Sequence, residues 1–285
     1  MRLVYLIQCH KNFEQVKLLI SSLKILRTDY VVVHVDAKNV LLKKQLHDFY
    51  DGVPNINVLH DPVSVHWSGV SQIHATLKMI QFLYNNSIDY DYCSLLSGED
   101  LVFDIDDFKK YLSMSEGKSF LEFRMEREKY FWRINKYNFF RNNKLSQKFI
   151  CRFFSFIIIK FQLFFNIKRN NFKESDIYLG SQWFTINKAH MDVIYNFLDE
   201  DFVKRFKFTS CCDEHFFQIL FKRLIDKQHY ASFNLRYVFF RDGNNSPEYL
   251  GMDKLKELRH MNGIFIARKV KYETLIQYVN CFKKE

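Results

Sequence analysis

Two neighbouring carboxylates, Asp213 and Glu214, open a run with Phe216, Phe217, Leu220 and Leu224 on one stripe, so residues 213–224 read as a helix. A carboxylate held in a pocket can take the proton from an attacking hydroxyl. Acids at a helix start also have a plainer explanation, because the macrodipole favours negative charge there. Two Asp-x-Asp strings could hold a divalent ion if they followed strands: Asp89-Tyr90-Asp91 and Asp104-Ile105-Asp106. The first precedes a strand and so sits at the wrong end of a sheet. The second reads as a helix cap. Both are expected to be structural. The six cysteines form no C-x-x-C pair and no Cys/His cluster with zinc-ligand spacing, and Cys93 reads as a core residue.

The elements that must position such groups alternate between strand and helix. Leu3–Ile7, Tyr30–Val35 and Tyr92–Leu96 are short, nearly continuous apolar runs, as expected of strands buried on both faces. Helical spacing appears over residues 12–26 and 69–84, and Asp104 is placed to cap a helix through Phe108, Tyr111 and Leu112. Further strands are expected at 119–122, 177–184, 235–240 and 263–270, with a helix at 252–260. This is an α/β pattern whose opening resembles a nucleotide-binding half. Such folds bind ligands at the carboxyl ends of their strands. The residues to inspect are therefore Cys9-His10-Lys11, Asp36-Ala37-Lys38 and Ser97-Gly98-Glu99-Asp100.

Only 8 glycines and 3 prolines interrupt 285 residues, which excludes a fibrous or low-complexity chain. The formal charge of +10 suits an anionic partner. Without a nucleic-acid-binding motif, a nucleotide diphosphate or an anionic membrane fits better than nucleic acid. Residues 149–165 carry seven Phe and four Ile among Lys148, Arg152, Lys160, Lys168 and Arg169. Two internal charges make this a poor spanning helix. It is either packed on the domain with a local core of its own or laid on an anionic membrane through 148–169.

Eight segments in order resemble the core-2/I-branching enzyme family, which includes branching N-acetylglucosaminyltransferases and peptide O-xylosyltransferases. They are His10-Lys11-Asn12, His34-Val35-Asp36, Trp67-Ser68-Gly69, Leu96-Ser97-Gly98-Glu99-Asp100, Gly180-Ser181-Gln182-Trp183-Phe184, Asp213-Glu214-His215-Phe216-Phe217, Leu235-Arg236-Tyr237 and Ile266-Ala267-Arg268-Lys269. The resemblance spans nearly the whole chain. It implies a single GT-A domain, a Rossmann-like nucleotide-sugar half over 1–125 merged with an acceptor and catalytic half over 176–285 around a mixed, mostly parallel sheet; the basic aromatic stretch is read as an insertion over 126–175. It implies an inverting, metal-independent transfer from a UDP-sugar, GlcNAc or xylose above all, to a glycan hydroxyl.

On that resemblance Glu214 is the base, with Asp213 its neighbouring rival. Arg268 and Lys269 hold the diphosphate, a charge-assisted task a guanidinium and an ammonium can perform. A further arginine of some branching enzymes would fall near Asn244–Ser246, where this chain has none; Ser246 offers a hydroxyl instead, and Arg241 could reach in. His34, Asp36, Trp67, Ser97, Gly98, Asp100 and Gln182 are expected on the donor side. Glu122, Arg133, Trp183, Tyr237 and Phe239 are expected toward the acceptor. Competing readings are a metal-dependent transferase using Asp104 and Asp106, and a non-catalytic glycan- or membrane-binding protein. The cysteine usage and the strand-like start at Leu3 suggest a cytoplasmic enzyme of bacterial surface polysaccharide or lipooligosaccharide synthesis, peripheral on the inner membrane face.

Overall fold

A computed structural model describes residues 1–144, 146, 148–244 and 246–282. Ten strands are formed by Leu3–Cys9 (β1), Tyr30–Val35 (β2), Ile56–Val58 (β3), Tyr92–Ser97 (β4), Asp100–Val102 (β5), Ser119–Leu121 (β6), Phe184–Asn187 (β7), Tyr230–Ala231 (β8), Arg236–Val238 (β9) and Ile266–Arg268 (β10). Seven build one sheet in the order β3-β2-β1-β4-β7-β6-β8, and β5-β10-β9 form a second. In the large sheet β1, β2, β3 and β4 run parallel, β7 is reversed, and β6 and β8 run parallel to each other and antiparallel to β7. This is the mixed, mostly parallel sheet that the resemblance implies.

Strand side chains alternate between two faces, and here both faces are buried. Leu3, Tyr5 and Ile7 enter one core with Val31, Val33 and Val35, while Val4, Leu6 and Val32 enter the other. That double burial explains why the strands read as unbroken apolar runs. The first core is covered by Phe13–Ser22 (α1), Val40–Tyr50 (α2), Ile105–Ser113 (α4), Met252–Arg259 (α10) and Tyr272–Phe282 (α11). The second is covered by Ser71–Asn85 (α3), Lys188–Phe197 (α7), Glu200–Lys204 (α8) and Phe216–Leu224 (α9). The short Trp132–Asn135 (α5) and the long Phe149–Phe164 (α6) lie within residues 126–175.

Several expected elements are shorter or displaced. The strand expected at 177–184 begins only at Phe184, so Gln182 and Trp183 precede it. Gly180 explains this: its N–H donates to the Glu214 carbonyl (2.8 Å), and a Cβ there would stand 1.8 Å from the Glu122 carbonyl oxygen. The helix expected from Asp213 begins at Phe216. Glu214 lies instead in a 3₁₀ turn, Cys212–Glu214, entered through a left-handed Cys211 (φ 48°). The strands expected at 235–240 and 263–270 shrink to β9 and β10, which leaves Phe239 exposed outside the sheet. Asp104 caps α4 as expected, accepting from the N–H groups of Asp106 and Asp107.

The rings of α6 do not make a local core. Gln162 is its one buried residue, and most of its Phe side chains are exposed. Among the described residues no helix is long and apolar enough to cross a membrane.

Candidate active site

The carboxyl ends of β1, β2 and β4 stand level, with Gln8 in register with His34 on one side and Ser97 on the other. These three residues line an open cleft of about 490 Å³. A parallel sheet presents such a crevice where its strands end. Asp36, Lys38 and the half-exposed Trp67 contribute to it from the β2 side; Ser246, Arg268 and Lys269 line it from the C-terminal part of the chain. Gln182, Trp183, Asp213 and Glu214 complete the lining that concerns chemistry.

His34 is buried, and its Nε2 accepts the Val63 N–H at 2.8 Å. Burial pulls its pKa down to about 4, so the ring is a neutral acceptor. Asp36 accepts from the backbone of Lys38 (3.1 Å) and Val65 (3.3 Å) and pairs with Lys38 Nζ at 3.1 Å. These bonds fix the loop after β2 at the cleft.

Arg268 is held before any ligand arrives. Its guanidinium donates to Asp100 Oδ1 at 3.0 Å and lies 4.3 Å from the centre of the Trp183 ring. Arg236 shares both partners, 3.2 Å from Asp100 Oδ2 and 4.9 Å from the same ring. Asp100 and Arg236 are buried to the point that their carboxylate and guanidinium must pair. Asp100, expected on the donor side, is therefore absent from the cleft lining; it fixes Arg268, which is part of it. Gly98 is likewise absent from the lining, because it packs against Cys9, where a Cβ would stand 2.8 Å from the Cys9 Cβ. Lys269 donates to Ser246 Oγ at 2.9 Å and lies 3.8 Å from Glu99. Burial lowers its pKa, and the charges of Arg268 and Lys11 act in the same direction against Glu99. A diphosphate would relieve that crowding of charge.

The carboxylate corner is built by loops tied to one another. The carbonyl of Ser68 (φ 63°) accepts the Cys211 N–H at 2.9 Å, and that of Cys211 in turn accepts the Glu214 N–H at 3.1 Å. Glu214 Oε2 accepts from Arg133 Nη1 at 2.7 Å and lies 3.9 Å from Arg124 Nη1. Arg124 is itself paired with Glu122 at 2.7 Å. The Gln72 side-chain amide, turned so that its nitrogen faces the acid, lies 2.7 Å from Asp213, and burial followed by the charge of Glu214 pushes the Asp213 pKa up to about 7. Two adjacent carboxylates thus have unlike surroundings. Glu214 is held by arginines, and Asp213 is favoured in its protonated form.

The acceptor-side residues are brought together only in part. Arg133 touches Glu214, Glu122 reaches it through Arg124, and Trp183 lines the cleft. Tyr237 instead packs beside the first core under the Lys254 ammonium, 5.2 Å from its ring. Phe240, not Phe239, faces the cleft. Arg241 is exposed and paired with Glu248 at 2.9 Å; Asn245 lies outside the described residues. Neither Asp-x-Asp string lines the cleft: Asp89 and Asp91 pair with Arg2, and Asp104 caps α4. Among the described residues no group of three or more His, Cys, Asp or Glu could hold a metal ion.

Sequence reasoning missed Arg236 and Glu99. Arg236 was visible as a charge in an apolar strand, which signals a buried partner. Glu99 is buried, accepts from Tyr249 Oη (2.6 Å) and pairs with Lys11 (3.0 Å). Burial alone would raise its pKa, but Tyr249 and Lys11 hold it below the usual range. Nothing in the spacing of 11, 99 and 249 announces that cluster.

A sheet with a nucleotide-type crevice, a carboxylate corner and a cationic pair defines a group-transfer site, and comparison with known proteins gives its class. Residues 3–261 match the family described as Core-2/I-Branching enzyme. The chain belongs to that family, which is one of glycosyltransferases. It is similar to "Xylosyltransferase sqv-6" of Caenorhabditis briggsae, 29% identical over 128 residues, and of Caenorhabditis elegans, 28% identical over 124 residues. Each match covers 42% of this chain but 15% of the relative. A solved structure of mannose-1-phosphate geranyltransferase from Thermus thermophilus is 10% identical, with a TM-score of 0.33 over 76% of this chain and 71% of that one. That likeness is too slight to bear on function.

Proposed function

We propose that this chain moves a sugar from a UDP-sugar to a hydroxyl of a glycan acceptor by one inverting displacement that needs no metal. Support comes from one observation above the others: Glu214 and the pair Arg268 and Lys269, far apart in sequence, line a single cleft at the strand ends. In this reading the Glu214 carboxylate takes the acceptor proton as the acceptor oxygen bonds to the anomeric carbon. The bond from that carbon to the diphosphate breaks on the opposite side. Its electrons pass to a phosphate oxygen held by Arg268, Lys269 and the Ser246 hydroxyl. Asp36 and Trp67 are placed to meet the nucleoside, and Arg133 keeps Glu214 aimed. GlcNAc and xylose are the sugars we favour.

A metal-dependent reaction on Asp104 and Asp106 is the weaker reading, since the Asp104 carboxylate accepts from the α4 backbone outside the cleft. The test is release of UDP from a panel of UDP-sugars, in EDTA and in Mn²⁺. The reading expects one donor to turn over equally in both. Turnover only with Mn²⁺ would place the phosphate site elsewhere.

A further inference from the structure

Helix α6 is mounted inside out. Its least exposed stripe is Cys151, Ser155, Ile158, Ile159 and Gln162, a set with a thiol, a hydroxyl and an amide in it. Gln162 is locked inward, donating to the Tyr137 carbonyl (3.0 Å) and accepting the Tyr137 N–H (2.7 Å). Phe, Ile and Leu fill most of the remaining face, an arc of roughly 200° at 3.6 residues per turn. Phe149 and Phe164 at its two ends are each 82% exposed. Tyr137, the residue that Gln162 grips, belongs to a second exposed ring cluster with Phe139 and Phe208, whose rings pack on one another 5.6 and 5.3 Å apart. An exposed apolar face of this extent marks a covered surface.

The charges that the helix and its flanking residues expose are mainly cationic. Lys148, Arg152, Lys160 and Lys173 are exposed, while Lys168 pairs with Glu174 at 3.1 Å and Arg169 is buried. Lys160 lies 5.5 Å from the Phe156 ring centre, and Lys207 lies 5.1 Å from that of Phe208. A second copy of the chain would set these cations against themselves, because a two-fold interface meets its own residues. A bilayer bearing anionic headgroups matches both the apolar arc and the cations. The helix is also too short to span. Its 16 residues reach about 24 Å, against about 30 Å of hydrocarbon.

We propose that α6, with Tyr137, Phe139 and Phe208, docks this chain in the plane of an anionic lipid surface. Lys136 and Arg169 bond the helix and its exit to the segment carrying α5. That segment presents Arg133 to Glu214. Docking therefore brings the carboxylate corner near the headgroups, which suits an acceptor sugar borne on a lipid. This last point rests on the proposed glycosyl transfer; the docking itself does not.

The test is sedimentation with vesicles of phosphatidylcholine alone and of an equal mixture with phosphatidylglycerol. The whole chain is expected to pellet with the mixture, less so at high salt, and hardly with phosphatidylcholine. Replacing Phe153, Phe156, Phe161 and Phe164 together by Ser should weaken binding at least about tenfold. The melting temperature and UDP release of that variant should match those of the wild type. If it fails to fold, Phe156→Trp carries the test: its emission in excess of the wild type's should shift to the blue on adding the mixed vesicles. No vesicle binding by the wild type, equal binding by the fourfold variant, or an unshifted emission from Phe156→Trp would overturn the proposal. A concentration-dependent dimer that the fourfold variant abolishes, without vesicle binding, would overturn it too and assign the face to a second copy. UDP release is read separately, so loss of docking and loss of catalysis remain distinguishable.

Discussion

Glu214 and Asp213 are neighbours in sequence with unlike surroundings. Glu214, which we propose as the base, is steadied by Arg133 and Arg124. Asp213, shielded and next to a like charge, holds its proton up to about pH 7. The sign of its effect on stability follows. Its folded pKa is raised, so the native state binds the extra proton between about pH 4 and 7, and stability falls as pH rises through that window. Asp213→Asn is therefore expected to raise the melting temperature more at about pH 7.5 than at about pH 4.5, which scanning calorimetry at the two pH values would show. An equal shift at both would mean that Asp213 ionises freely. Arg236 gives a second prediction at this scale. Arg236→Met leaves Asp100 with one cationic partner in a dry site and is expected to cost about 3–5 kcal/mol in denaturant unfolding. Arg268 should then be less well held, so affinity for UDP should fall as well. A loss of stability with unchanged UDP affinity would make Asp100 and Arg236 merely structural.

The elements that carry the chemistry are loops locked to each other more than strands. Gly180 shows this best, because only a residue without Cβ lets the segment before β7 lie on the Glu122 carbonyl while bonding Glu214. Gly180→Ala is expected to cost about 1–3 kcal/mol or more and to displace Glu214. Turnover should fall further than stability predicts, measurable as activity at a temperature where the variant is still folded. The central strands were legible in the sequence because burial on both faces makes them continuous apolar runs. The α4 cap was legible because Asp104 precedes the run it caps. The bounds of β7, β9 and β10 were not, since apolar residues there extend beyond the paired ones: Ile177 and Leu179 are buried ahead of β7, and Phe239 is exposed after β9. The α9 start was misread because periodicity cannot see the left-handed turn at Cys211. Site residues sitting just after strands or at their ends, such as Asp36 and Ser97, could be named in advance. Lys11, Glu99 and Lys269 could be named singly, but not their cluster with Tyr249, because its members meet only through tertiary packing.

In the molecule as a whole, the strand ends of the large sheet meet a cationic pair that the small sheet carries at the end of β10. A ligand that bridges those parts should stabilise the whole fold. UDP at about 100 times its Kd is expected to add about 2.7 kcal/mol, seen as a raised melting temperature. Lys269→Ala should lose most of that gain at the same UDP concentration, and an undiminished gain would separate Lys269 from the diphosphate. We propose Glu214 as the base of a glycosyl transfer whose leaving diphosphate is held elsewhere in the same cleft. Turnover of Glu214→Gln with its best UDP-sugar, beside calorimetric binding of UDP to the same variant, tests this. The kcat is expected to fall by about 10²–10⁴ while UDP affinity stays near that of the wild type. Turnover close to wild type, or a fall that Asp213→Asn alone reproduces, would contradict it.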